Sequence, residues 1–114
     1  MSLEISASIP SGKLFIGGSW IDAVSGKTFE TINPATNQVL ARVAEADSTD
    51  LDAAVSAARK ALDEGPWPRL APFERGRVLR AIADRIRSKA DIIAEVETRS
   101  GGKTIADSRN EVVA

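Results

Sequence analysis

The residues best suited to chemistry fall in a few short stretches. Ser100-Gly101-Gly102-Lys103-Thr104 resembles the end of a phosphate-binding loop, in which glycine backbone cradles phosphate and lysine neutralises it. That motif also needs a glycine where Glu97 stands, and it should follow a strand. A helix capped by Gly101-Gly102 before a new helix accounts better for the segment. Asp50 with Asp52, and Glu95 with Glu97, are carboxylate pairs two residues apart. On a helix such side chains diverge by about 200°, so neither pair can share a proton or a metal. Asp47 and Asp50 can approach one another, but a helix-capping role explains both.

No nucleophile or base completes these fragments. The 114 residues include no Cys and no His. This removes disulfides, thiolate chemistry, imidazole metal ligands and the commonest general base from the chain acting alone.

Charge is balanced only in sum. Fifteen basic and sixteen acidic residues give a net charge of -1. Yet Glu45 to Glu64 carries six acids against two bases, and Arg69 to Lys89 carries seven bases against two acids. The basic block is the footprint a nucleic-acid binder would show. No aromatic is interleaved from Arg75 to Lys89 to stack bases, and the adjoining acidic block offers an internal partner. An antiparallel pair of solvated helices is therefore expected, with no nucleic acid as ligand. No apolar run reaches the ~20 residues that span a bilayer. The opening residues lack the charged and apolar regions of a secretory signal, so no membrane and a cytoplasmic location are expected.

The elements that position these residues can be read from spacing. Residues 1–12 are small and polar and are expected to form a flexible terminus. Lys13 to Ile16 and Ser19 to Asp22 flank Gly17-Gly18, a hairpin signal. Thr28 to Ile32 and Val39 to Val43 flank a turn built on Asn33, Pro34 and Asn37. After Ala44 the pattern becomes helical. Asp47 or Ser48 opens a helix with Leu51, Val55, Ala58 and Leu62 on one face, closed by Gly65-Pro66. A second helix begins near Pro72, with Leu79, Ile82 and Ile86 as a buried stripe beside Val78. Ser88 is expected to cap a third helix, which carries Ile92, Ile93 and Val96 to Gly101. A fourth begins at Thr104 and shows no stop signal by Ala114, as if the element continued. Trp20 and Trp67 are expected to pack locally in the core. The fold class is α/β, with short strands and hairpins over 13–44 followed by helices over 48–114.

The ordered set of motifs resembles the opening of the NAD(P)-dependent aldehyde dehydrogenases, the betaine-aldehyde type among them. The resemblance is carried by Leu14-Phe15-Ile16-Gly17-Gly18-Ser19-Trp20, by Phe29-Glu30-Thr31-Ile32-Asn33-Pro34-Ala35-Thr36 and by Val39-Leu40-Ala41. It continues through Ala44-Glu45-Ala46-Asp47, the alanine-rich helix, Trp67 and Glu74-Arg75-Gly76-Arg77-Val78-Leu79. It ends on Glu97-Thr98-Arg99-Ser100-Gly101-Gly102-Lys103, close to that family's Glu-Thr-x-x-x-Gly-Lys stretch. The resemblance implies that residues 13–114 are the N-terminal portion of a Rossmann-like NAD(P)-binding domain, cut at 114.

In such enzymes a cysteine thiolate attacks the aldehyde and the thiohemiacetal passes hydride to NAD or NADP. Water then releases the carboxylic acid. The resemblance implies an aldehyde substrate and a homo-oligomer, dimer or tetramer. It places every catalytic and cofactor-binding residue beyond position 114, leaving this chain inactive by itself. Members of the betaine-aldehyde type hold a monovalent cation, K+ or Na+, at positions matching Thr31 and Ile32, whose carbonyl oxygens suit a hard ion. The third ligand of those members is an aspartate, and Ser100 stands there instead. A stand-alone interaction module without catalytic activity is the alternative, with Ile92, Ile93, Val112 and Val113 as its exposed patch.

Overall fold

The structure, a computed structural model, describes residues 12–114. The terminal segment expected to be flexible lies outside them except for Gly12. Two hairpins come first. β1 (Leu14–Ile16) pairs antiparallel with β2 (Ser19–Ile21), and β3 (Thr28–Asn33) with β4 (Gln38–Ala44). Gly17 and Gly18 both have positive φ, +59° and +84°, the twist that a two-residue turn between antiparallel strands requires. Asn37 takes the left-handed conformation at φ 57°, closing the second hairpin.

The register of the second hairpin slips between Thr31 and Ile32. Thr31 faces Ala41 but Ile32 faces Val39, so Leu40 is the extra residue of a β-bulge. A parallel bridge from Gly12 to Val43 extends this sheet at its β4 edge.

Four helices follow: α1 (Ser48–Asp63), α2 (Pro72–Ser88), α3 (Ala90–Gly101) and α4 (Ile105–Val113), with a 3-10 turn at Trp67–Arg69. Asp47 caps α1, accepting hydrogen bonds from Thr49 N at 2.8 Å and Asp50 N at 3.3 Å. Pro72 starts α2, and Glu74 reaches back to accept from Ala71 N. Gly102, at φ 76°, ends α3 in the left-handed conformation. The break between α2 and α3 falls where expected, but Ser88 does not cap α3. Its hydroxyl donates backward to Arg85 O at 2.8 Å, which helps close α2 instead.

The expected core is largely absent. Among the described residues only Ala23 and Ala94 are buried apolar side chains, joined by two buried polar ones, Asp50 and Ser108. The stripe expected to be buried on α2 is open: Leu79, Ile82 and Ile86 are 57%, 50% and 42% exposed. Trp20 and Trp67 are exposed too, contrary to the expected core packing, and Trp20 lies against Phe15 with ring centroids 4.7 Å apart. The reason is dimensional. The molecule measures 52 × 38 × 17 Å, and its radius of gyration is 17.5 Å, against about 13 Å for a compact chain of this length. A slab 52 × 38 Å across and 17 Å thick leaves most of its side chains at a surface.

Candidate functional site

The sequence's most chemical-looking segment, Ser100 to Thr104, is a helix-to-helix corner. Gly102 seats the end of α3 against the turn after β3, where a Cβ at Gly102 would lie 2.9 Å from Pro34 Cγ. Thr104 caps α4, its hydroxyl accepting from Asp107 N at 3.2 Å. Lys103 Nζ donates to Glu111 and, at 2.8 Å, to Glu97 Oε1. These hydrogen bonds, Glu111's first, hold the ammonium above the ordinary lysine range. A raised lysine pKa favours the folded form at neutral pH, and that contribution fades only as pH rises through the alkaline range. A lysine engaged by two carboxylates is a clamp between α3 and α4, and no phosphate-binding loop forms here.

α3 and α4 meet through small groups. Ser108 is fully buried, and Thr98 Oγ1 donates to its hydroxyl at 2.9 Å. Arg99 pairs with Glu95 at 3.3 Å along α3.

Thr31 and Ile32 sit at the bulge of the second hairpin, and α3 packs on the same strand. Thr31 Oγ1 donates to Ala41 O at 3.4 Å, while Ile32 can offer only its carbonyl. Ser100 Oγ donates to Val96 O at 2.8 Å, so its proton is spent on its own helix. The donor set matches a weakly bound monovalent ion in kind, oxygen only and uncharged. Among the described residues no group of three or more His, Cys, Asp or Glu side chains could hold a metal ion.

Two hollows remain. One, of about 430 Å³, includes Lys13, Asp22, Lys27 and Arg42 in its lining. Its charges are partly neutralised, Lys13 by Asp22 at 3.3 Å and Arg42 by Glu30. The other, of about 330 Å³, lies between Phe15 to Gly18 and the alanines of α1 and is apolar. Neither joins a nucleophile to a base.

The acidic and basic blocks do not pair as expected. Among the described residues no ion pair joins α1 to α2: Arg59 bonds Asp63 within α1, and Arg87 bonds Asp84 within α2. Side chains three or four apart on one helix reach each other with no loop to organise, so they satisfy one another locally. Asp50 is the residue whose role the spacing did not disclose. It is 2% exposed. Its Oδ2 accepts from Asp47 N at 3.1 Å, completing the cap, and its Oδ1 accepts from Val24 N at 3.0 Å. One carboxylate thus fastens the loop after β2 to the start of α1. The cap was visible in the sequence, but a bond across 26 residues was not.

No helix among the described residues is long and apolar enough to cross a membrane. Comparison with known proteins supplies what the geometry lacks. The profile described as "Aldehyde dehydrogenase family" matches residues 20–114. "Aldehyde dehydrogenase family 2 member C4" of Arabidopsis thaliana is 50% identical over 91 residues, which is 80% of this chain and 18% of that protein. "Aldehyde dehydrogenase 1" of Tanacetum cinerariifolium is 48% identical over 108 residues, 95% of this chain and 22% of that protein. Among solved structures, an NAD+ complex of an aldehyde dehydrogenase from Bacillus cereus superposes with a TM-score of 0.88 at 38% identity. It covers 97% of this chain, and this chain covers 23% of it.

Proposed function

Because the chain belongs to the aldehyde dehydrogenase family, we propose that it serves as the opening portion of an NAD(P)-dependent oxidoreductase that converts an aldehyde to a carboxylic acid. The observation that carries this reading is that the short hairpins and the helices after them superpose, over 97% of this chain, on an aldehyde dehydrogenase at 38% identity with a TM-score of 0.88. Residues 13–114 then form the N-terminal portion of the NAD(P)-binding domain. Their work is to support: the hairpins and the α3–α4 corner hold backbone in place for a nucleophile, oxyanion donors and a dinucleotide cradle supplied by the rest of the subunit. The dinucleotide, NAD or NADP, supplies a hydride acceptor when bound. The complete protein works in the cytoplasm as a homo-oligomer, dimer or tetramer.

The test is a fusion in which this chain replaces the matched opening of the Bacillus cereus enzyme. We expect soluble protein that forms NADH from NAD+ and an aldehyde within about tenfold of the parent, a cost of no more than ~1.4 kcal/mol in the barrier. A folded, soluble fusion without turnover would count against the reading.

A monovalent cation, K+ or Na+, held by the carbonyls of Thr31 and Ile32 belongs to the same proposal. The bulge supports it, because an irregular ladder leaves backbone oxygens free to turn outward. Ser100→Asp in the fusion is expected to restore the missing anionic oxygen. Without K+ it should destabilise slightly, since a carboxylate at a helix C-terminus opposes the dipole. With K+ replacing choline at equal ionic strength, the melting temperature should rise about one degree more than in the parent fusion, from ~1 kcal/mol of ligand linkage. Equal melting curves in both salts would remove the site.

A further inference from the structure

The hollow of about 430 Å³ is lined by three cationic side chains, Lys13, Lys27 and Arg42, against one carboxylate, Asp22. The cations come from three segments: the residue before β1, the turn before β3, and β4. Backbone hydrogen bonds hold these segments together. Gly12 N donates to Arg42 O at 3.0 Å and Ala44 N to Gly12 O at 2.8 Å, which fixes Lys13 beside β4. Glu45 N donates to Lys27 O at 2.9 Å and ties the turn before β3 to the end of β4. That turn is closed by Gly26 N on Ala23 O at 2.8 Å, with Gly26 at φ 68°, a conformation that favours glycine. Ala23 is the buried member of the lining.

A fixed backbone thus brings an excess of positive side-chain charge to one concavity. Two of the cations have exposed partners, Lys13 with Asp22 at 3.3 Å and Arg42 with Glu30. Exposed pairs of this kind contribute little and are readily exchanged for a better partner. Among the described residues Lys27 makes no ion pair. Its ammonium is a point charge with three donors, and Arg42 offers a planar fork, two shapes that suit phosphate oxygens. Three positive charges against one negative leave the lining at +2, which a phosphate dianion matches. We infer that this hollow is a binding site for a small phosphate-bearing anion, held chiefly by Lys27 and Arg42 with Lys13 as a third donor. Its volume exceeds one phosphate group and suits pyrophosphate or a small phosphate ester. Asp22 opposes the anion and limits its affinity. The inference does not depend on the functional reading above.

The test titrates the 114-residue chain with pyrophosphate at constant ionic strength and follows its amide shifts by two-dimensional NMR. Shifts at Gly12, Lys13, Gly26, Lys27 and Thr28 should saturate, with a Kd of about 1 mM or below. Lys27→Gln and Arg42→Gln should each weaken binding about tenfold. Asp22→Asn should tighten it about threefold, while Lys60→Gln on α1 changes nothing. All four side chains are exposed, so these variants keep the fold. Orthophosphate should bind more weakly at the same amides, and chloride should move none of them. Shifts that stay linear, or equal losses in Lys27→Gln and Lys60→Gln, would overturn the site. The Bacillus cereus fusion gives a second readout by equilibrium dialysis of radiolabelled pyrophosphate, with NAD+ saturating to fill its dinucleotide site. Binding there should fall in Lys27→Gln and not in Lys60→Gln, and the absence of that difference would overturn the proposal. Turnover reports separately: an inactive fusion that binds pyrophosphate counts against the functional reading alone.

Discussion

No NADH is expected to form when the 114-residue chain is mixed with NAD+ and any aldehyde. The reaction needs a thiolate to form a thiohemiacetal before hydride can leave the aldehyde carbon, and the chain contains no cysteine. Loss of a covalent nucleophile costs on the order of 10⁶ in turnover, which places the rate below detection against the complete enzyme. Installing a thiol does not repair this. Ser100→Cys would put sulfur on the exposed C-terminal end of α3, yet oxyanion donors and a dinucleotide cradle would still be missing. The variant chain should be as inactive as the parent, and spectrophotometric detection of NADH in either, with purified protein, would relocate the chemistry into these residues.

The second large effect concerns Asp50. Asp50→Ala in the fusion should destabilise by about 2–3 kcal/mol, measured by urea unfolding. Losing half of a capping box accounts for ~1 kcal/mol, and leaving Val24 N without its acceptor for a further ~1–2 kcal/mol. Asp50→Asn keeps the shape and one acceptor oxygen but aims an amide at a second N–H, so about half of the loss is expected. Asp52→Asn, exposed two residues away, should stay within ~0.5 kcal/mol. Equal effects at 50 and 52 would mean that the bond to Val24 does not hold the hairpin to α1.

The sequence was most informative where chemistry is local. Gly17-Gly18, Asn37 and Gly102 announced their positive-φ turns, and Asp47 announced the start of α1, because each choice is decided within a few residues. The bulge at Thr31 and Ile32 left no such mark, since register is set by the opposite strand. Ser88 was misleading because a hydroxyl beside a helix end can serve the helix behind it as well as the one ahead. The stripes on α1 and α2 gave the correct element with the wrong environment. Periodicity identifies the face that seeks burial, and Leu79 or Ile82 would read the same whether its cover lay within these 114 residues or elsewhere. The candidate cation positions rest on family resemblance alone, as carbonyl ligands have no residue type to betray them.

The exposed side chains of α1 and α2 also set a timetable for synthesis. Each tie among the described residues, from Asp50 to Val24 and from Gly102 to Pro34, is complete once this stretch has left the ribosome. At about 5–20 residues per second, the several-fold longer remainder of such a protein takes on the order of tens of seconds more. Through that interval α1 and α2 would carry exposed leucine and isoleucine into water. In the longer protein proposed above, such exposed apolar side chains would be targets for chaperones until the rest of the chain is made.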